Sequence, residues 1–469
     1  MRWLLAGVFA ITVPLVNPHI RGDGNGYYAY VRSAVIDGDL RFDNEYRRGD
    51  PAFVASVFGP DGRVSPGLVL GGGYVKNQWA VGPSLLWAPA FLLGHGIAWS
   101  LGSLGWGIAA DGYSPPYRWL CALATAIYAF AGLALASRAA EQLVGPGAAV
   151  AATIGVWLAS PLPVYMYFLP FHVPALSAFA VSLFVWSWLR TRERRTVRAW
   201  GLWGLSGGLM VEVYHLNAVC LLLPGLDLVR ELVDRRAAGS GGRARTVGKA
   251  VAFGLGAAAA LVPHIAVKSI VHGSPFRTGY EDRFFWGSPR LWQVAFASEH
   301  GMFLWTPVLL LGAVGLGLLW RRDRWTAAGL TAVFLAYYYA VASYENWHGQ
   351  SAFGSRFMVS LTPVFILGLA QALASASKLP LLAGRHGLLY VAVLSPLILW
   401  NVGLMFQWGT GLVPNRGPVD FAVVTRHQVT RVPGRVVDFL ARYLADREQV
   451  TRAIEQRDLE RVGEYRPAR

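Results

Sequence analysis

An aspartate at position 23 opens a run of unusual composition, RGDGNGYYAYVRSAVIDGDLRFDNEYR (21–47), directly after an apolar stretch from Trp3 to Val16. Acids, glycines and tyrosines crowd together there, where a hydrocarbon-spanning segment gives way to water. A carboxylate at such a boundary can have its proton affinity tuned by partial desolvation while still reaching a polar substrate. Asp23 is therefore the candidate general base. Permanent positive charge to meet a phosphate is offered first by Arg356, in YENWHGQSAFGSRF (344–357), and second by Arg277, in GSPFRTGYEDRFFW (273–286). A guanidinium stays charged and presents a planar fork of donors. Arg356 is nearly as well suited to a salt bridge with an acid of the first run. Lys268, near the outer end of its apolar segment, either serves the same phosphate or snorkels to the interface, and snorkelling is favoured.

Further polar and aromatic residues supply candidate substrate contacts: Tyr27, Tyr28, Glu45, Glu212, Tyr280, Glu345 and His348. Tyr27, Tyr28 and Tyr30 fit stacking on a sugar, but also the aromatic belt common at membrane interfaces. Asp37 and Asp39, in the triplet DGD, are hard oxygen donors that fit a divalent cation or a helix cap and turn, and the cap is favoured. No metal is expected, and a divalent cation stays open as the weaker alternative. His172 and His300, each at a helix start, read as structural.

The elements that must hold these residues follow from composition. Of 469 residues, 54% are hydrophobic and 15% charged, in long apolar runs, so the expectation is an all-α polytopic membrane protein. Cys121 and Cys220 lie inside apolar segments, which gives little support to a disulfide framework or cysteine metal site. The net charge of +15 comes from arginines gathered between apolar segments, the pattern of cytoplasmic loops rather than of a nucleic-acid partner. Candidate spans are residues 3–17, 119–136, 148–159, 172–189, 200–211, 216–233, 251–270, 302–320, 325–342, 357–374 and 388–406. Pro83 to Leu104 is also apolar. If it crossed, the first outer loop and the basic run 190–198 could not both satisfy a cytoplasmic N-terminus, so it is expected to be interfacial or re-entrant.

About eleven crossings result, with a long first extracytoplasmic loop (18–118) carrying interfacial helices. That parity puts Asp23, Arg277 and Arg356 on one face. Residues 1–408 form the transmembrane domain, and residues 409–469 an amphipathic helical tail expected to be extracytoplasmic.

The first helix ending in an acid, the long outer loop, the proline-bearing segment after it and the later spans together resemble the GT-C superfamily of glycosyltransferases. The likeness covers most of residues 1–410 as architecture and is strongest at 22–46, 273–280 and 344–357. Protein O-mannosyltransferases and lipid A aminoarabinose transferases belong to that superfamily. The resemblance implies a bacterial inner-membrane enzyme that moves a sugar from a polyprenyl-phosphate carrier to a glycan, lipid or protein acceptor on the outer face. Asp23 matches the acid expected early in the first outer loop. O-mannosyltransferases carry an adjacent Asp-Glu pair there, whereas here Gly24 follows Asp23. The competing class is a transporter or flippase of a lipid-linked or small polar solute, which would show mid-span charges and two related halves. A lipid phosphatase or O-antigen-ligase-like enzyme would share the outward site, but the paired Arg and His motifs of common lipid phosphatases are not evident.

Overall fold

The computed structural model describes residues 2–193, 195–234, 240–380 and 384–462. Residue 194 of the basic run 190–198, residues 235–239 and 381–383, and the last seven residues of the tail lie outside the described residues. The described chain is helical without a named strand and carries only isolated β-bridges.

Six helices are long and apolar enough to cross a membrane, and three shorter apolar ones accompany them among the described residues. The chain is thus an all-α, multi-pass membrane protein. In order, α1 is Arg2–Thr12, α2 Asp23–Arg32, α3 Pro51–Val57, α4 Gly82–Ser103, α5 Pro115–Val144, α6 Pro146–Leu158, α7 Pro174–Thr191, α8 Val197–Val213, α9 Leu222–Asp234 and α10 Ser240–His272. After a stretch of loop with short helical turns at Leu291–Phe296 and Met302–Trp305 come α11 Pro307–Leu319, α12 Arg324–Ser343, α13 Thr362–Ala376 and α14 His386–Gly409, then the tail helices α15 Phe421–Thr430, α16 Val436–Ala445 and α17 Arg447–Val462. Several apolar runs make helices of only 13 to 18 residues. The remainder of such runs winds into 3-10 or π turns, as at Val164–Phe168 and His215–Leu221.

Close packing between helices comes from small residues rather than from a hydrophobic drive, which lipid largely cancels. Along the α8–α10 contact, a Cβ on Gly204 would stand 2.1 Å from the Phe253 carbonyl oxygen, and one on Gly256 2.1 Å from that of Gly201. The helix axes can approach only because those side chains are missing.

The ends of α5 and α7 meet the start of α12 around Arg192, Arg195, Arg321, Arg322 and Arg324. We call this the basic end. The start of α7 lies at the opposite end, beside His172. There the segment expected to be interfacial or re-entrant, α4, is continuous through Pro89 and long enough to cross. Its contacts nevertheless hold it at that end: Gly82 abuts Glu212 and Val213 at the end of α8, and Gly94 abuts Pro116 and Tyr117 in the first turn of α5.

The first loop has its own apolar core. Ala29, Tyr30, Phe42, Tyr46, Phe53, Val57, Val75 and Val81 pack together against Val271 of α10. The tail joins this end as well. Asn17 donates to Thr451 Oγ1 at 3.0 Å, His19 meets Glu455 at 2.9 Å, and the Tyr443 hydroxyl donates to the Leu15 carbonyl at 2.9 Å.

Candidate active site

Asp23 begins α2, so its carboxylate sits at the positive end of the helix macrodipole. The side chain is 34% exposed and pairs with Arg356 at 2.7 Å from Nη1 to Oδ2, a contact between residues 333 positions apart. Burial would raise the Asp23 carboxyl. The charge of Arg356, helped by His172 and by hydrogen bonds from Arg356 and the Trp79 indole, outweighs that and holds it below its ordinary 3.8. His172 lies against this group, its Nε2 at 3.2 Å from the Arg21 carbonyl. Burial lowers its imidazole to about 4, near the range in which Asp23 itself titrates, so its charge helps to hold that carboxyl down only there and is absent at pH 7.

The backbone before Asp23 is held by an acid that sequence reasoning missed. Asp50 Oδ1 accepts from the Gly22 amide at 2.6 Å and from Asn25 Nδ2 at 2.8 Å, while Oδ2 caps α3 through the Phe53 amide. The Asp50-Pro51 pair does signal a helix start in the sequence, but not the 28-residue reach back to Gly22.

Trp79 completes the wall over α2. A Cβ on Gly26 would fall 1.8 Å from its ring, so only glycine lets the indole lie that close. Opposite, Gly349 has φ +73 and a Cβ there would crowd Arg356 Nε at 3.1 Å. Glycines on both sides therefore let the two charged groups converge.

Lys268 does not snorkel. It is fully buried, and its ammonium lies within 3.0 Å of the Tyr30 hydroxyl and the carbonyls of Asn77, Trp79 and Thr278. With its protons committed it has none for a phosphate, and it ties down the strand of loop that carries Trp79. Tyr27 and Tyr28 are 2% and 0% exposed, and the Tyr28 hydroxyl donates to the Gly112 carbonyl at 2.6 Å. They form no aromatic belt facing lipid, because the loop folds inward around them. Glu45 is 2% exposed and pairs with Arg32 at 2.7 Å inside the first loop. Burial pushes its carboxyl up to about 7 against the pull of Arg32.

Asp37 takes Arg32 and Asn44, and Asp39 takes Ser33 and the Arg41 amide, so both acids organise the loop turn. Among the described residues no cluster of three or more His, Cys, Asp or Glu could hold a metal ion.

Glu212 is fully buried at the end of α8, with His264 Nδ1 3.8 Å away and neither carboxylate oxygen hydrogen bonded among the described residues. Glu345 accepts from the Arg283 amide at 3.2 Å and binds one loop of this end to another. His348 stands 3.6 Å from Glu299, on the turn that leads to Arg356. Tyr280 lies in the electrostatic field of Asp23, Arg356 and Tyr27, whereas Arg277 is exposed on the same loop. Tyr214 and Tyr165 are further neighbours of the charged pair that the sequence did not single out.

The arrangement offers an ionised carboxylate, one adjacent guanidinium and a ring of phenols at the mouth of a helical bundle. No protein-family model matches the chain, and no curated protein matches it. Among solved structures it is similar to ArnT from Cupriavidus metallidurans in the apo state, at 15% identity and a TM-score of 0.47 over 91% of this chain and 74% of that one. It is likewise similar to that protein bound to undecaprenyl phosphate, at 15% identity and a TM-score of 0.46 over 87% of this chain and 70% of that one.

Proposed function

We propose that the protein is a membrane glycosyltransferase of the GT-C kind that takes a sugar from a polyprenyl-phosphate carrier and transfers it to an acceptor on the outer face of a bacterial inner membrane. The observation that carries this reading is the Asp23–Arg356 pair at 2.7 Å. An acceptor hydroxyl attacks the anomeric carbon, Asp23 receives its proton, and the bond to the lipid phosphate breaks with its electrons going to the phosphate oxygen. Arg356 offsets the charge that grows on that oxygen.

Unliganded, the pair makes Asp23 a weak base. A phosphate that draws Arg356 toward itself reduces the pull on the carboxylate and raises its basicity as the donor is seated. Donor binding and base activation are then one event.

Purified protein reconstituted with a lipid-linked sugar tests this. Turnover that is lost in Asp23→Asn supports the transferase. Translocation of the intact sugar lipid without any transfer would assign the protein to the transporters.

A further inference from the structure

At the basic end, remote from Asp23, the ends of α5 and α7 and the start of α12 surround a cavity of about 840 Å³. Six guanidiniums line it: Arg192, Arg195, Arg230, Arg321, Arg322 and Arg324. Four carboxylates share the lining, and three of them are already engaged. Asp227 accepts from Arg195 and from the indoles of Trp188 and Trp325. Asp323 pairs with Arg192 and caps α12 through the Thr326 amide, and Glu231 pairs with Lys249 at 2.6 Å. Glu193 is exposed.

The arginines divide into two sets. Arg195 is buried, donates to Asp227 and the Trp188 carbonyl, and lies over the Trp203 ring at 4.2 Å; it builds the floor. Arg230 stacks on Trp325 at 4.8 Å. Arg321, Arg322 and Arg324 are exposed and form no ion pair with a carboxylate among the described residues. Arg321 and Arg322 sit on the short connection between α11 and α12, after the half-exposed indole of Trp320, and Arg324 opens α12.

We propose that this cavity binds the phosphodiester headgroup of an anionic phospholipid from the leaflet at the basic end, held by Arg321, Arg322 and Arg324. A guanidinium fork fits two phosphate oxygens at once, and three free forks at one rim exceed what the cavity's own acids neutralise. The cavity opens at helix ends, where hydrocarbon gives way to headgroups, and tryptophans mark that depth. Basic clusters at such a place select anionic lipids. The site is separate from the proposed chemistry of Asp23 and does not depend on it.

Thermal unfolding of the full-length protein in detergent, titrated with phosphatidylglycerol, phosphatidylcholine or inorganic phosphate, tests the proposal. Phosphatidylglycerol is expected to raise the midpoint saturably while phosphatidylcholine does not. R321Q/R322Q/R324Q is expected to weaken half-saturation by about ten-fold or more, as loss of several charge-assisted contacts implies. R198Q/R245Q/R385Q, which removes equal charge from the same end outside the cavity, is expected to keep the wild-type response. Equal shifts with both lipids, or equal losses in both triple variants, would overturn the site. A full shift with inorganic phosphate alone would overturn the lipid assignment.

Discussion

At the residue scale the proposed chemistry rests on the pair of Asp23 and Arg356. Because Asp23 is held below 3.8 when folded, the pairing contributes its stability in full above that value and loses it as pH falls through the lowered folded value. The same ionisation governs the base. The acid limb of kcat/KM is expected to lie below pH 3.8 in the wild type. In Arg356→Gln, burial acts on Asp23 without the opposing charge, so that limb should move upward; an unmoved limb would detach the arginine from the base. Candidacy of both groups was legible in the sequence from residue type and boundary position. Their contact was legible only as an alternative, a salt bridge from Arg356 to some acid of the first run, because 333 residues separate the two and only the bundle selects Asp23 as the partner. The tyrosines misled for a related reason: an aromatic beside a membrane segment reads alike whether it faces lipid or a loop core.

At the scale of elements, α2 is aimed by contacts from both sides. Asp50 holds Gly22 and Asn25 while capping α3, so Asp50→Ala should cost about 1 kcal/mol as a lost cap. Misplacement of the Asp23 backbone should reduce kcat far more, by up to about a hundred-fold, with KM for the donor little changed. A kcat within two-fold of wild type would remove Asp50 from the positioning role. Gly26→Ala must displace Trp79, which walls α2 where Asp23 begins it, and a drop in kcat with quenching changes in tryptophan fluorescence is its expected signature. The crowding of glycines in the first run was visible in the sequence, but the ring that Gly26 accommodates comes from residue 79. Lys268 shows the same limit. Its position near a helix end suggested a charge for ligand, whereas four oxygens from three separate segments consume it.

At the scale of the whole molecule, the helices, the apolar runs and the basic end were readable from hydropathy and arginine placement. The shortness of individual helices was not, since a run can spend residues on 3-10 and π turns without changing its composition. The position of the tail could not be read from its mixed charges; its hydrogen bonds to Asn17, His19 and Leu15 place it over the first loop. Sidedness follows as a test. A membrane-impermeant maleimide should label Ser351→Cys from outside intact cells and Arg322→Cys only after permeabilisation, and the native Cys121 and Cys220 are buried and should stay silent. The reverse pattern would turn the site toward the cytoplasm.

The claim beneath all three scales is that carboxylate and guanidinium act as one catalytic unit on a lipid-linked sugar. The most direct measurement is a double-mutant cycle, with Asp23→Asn, Arg356→Gln and both together, reading single-turnover release of polyprenyl phosphate in proteoliposomes. Each single change is expected to lose about a hundred-fold or more, and the double variant to be little slower than the worse single one. Losses that multiply, or an Asp23→Asn variant that turns over at the wild-type rate, would contradict the account.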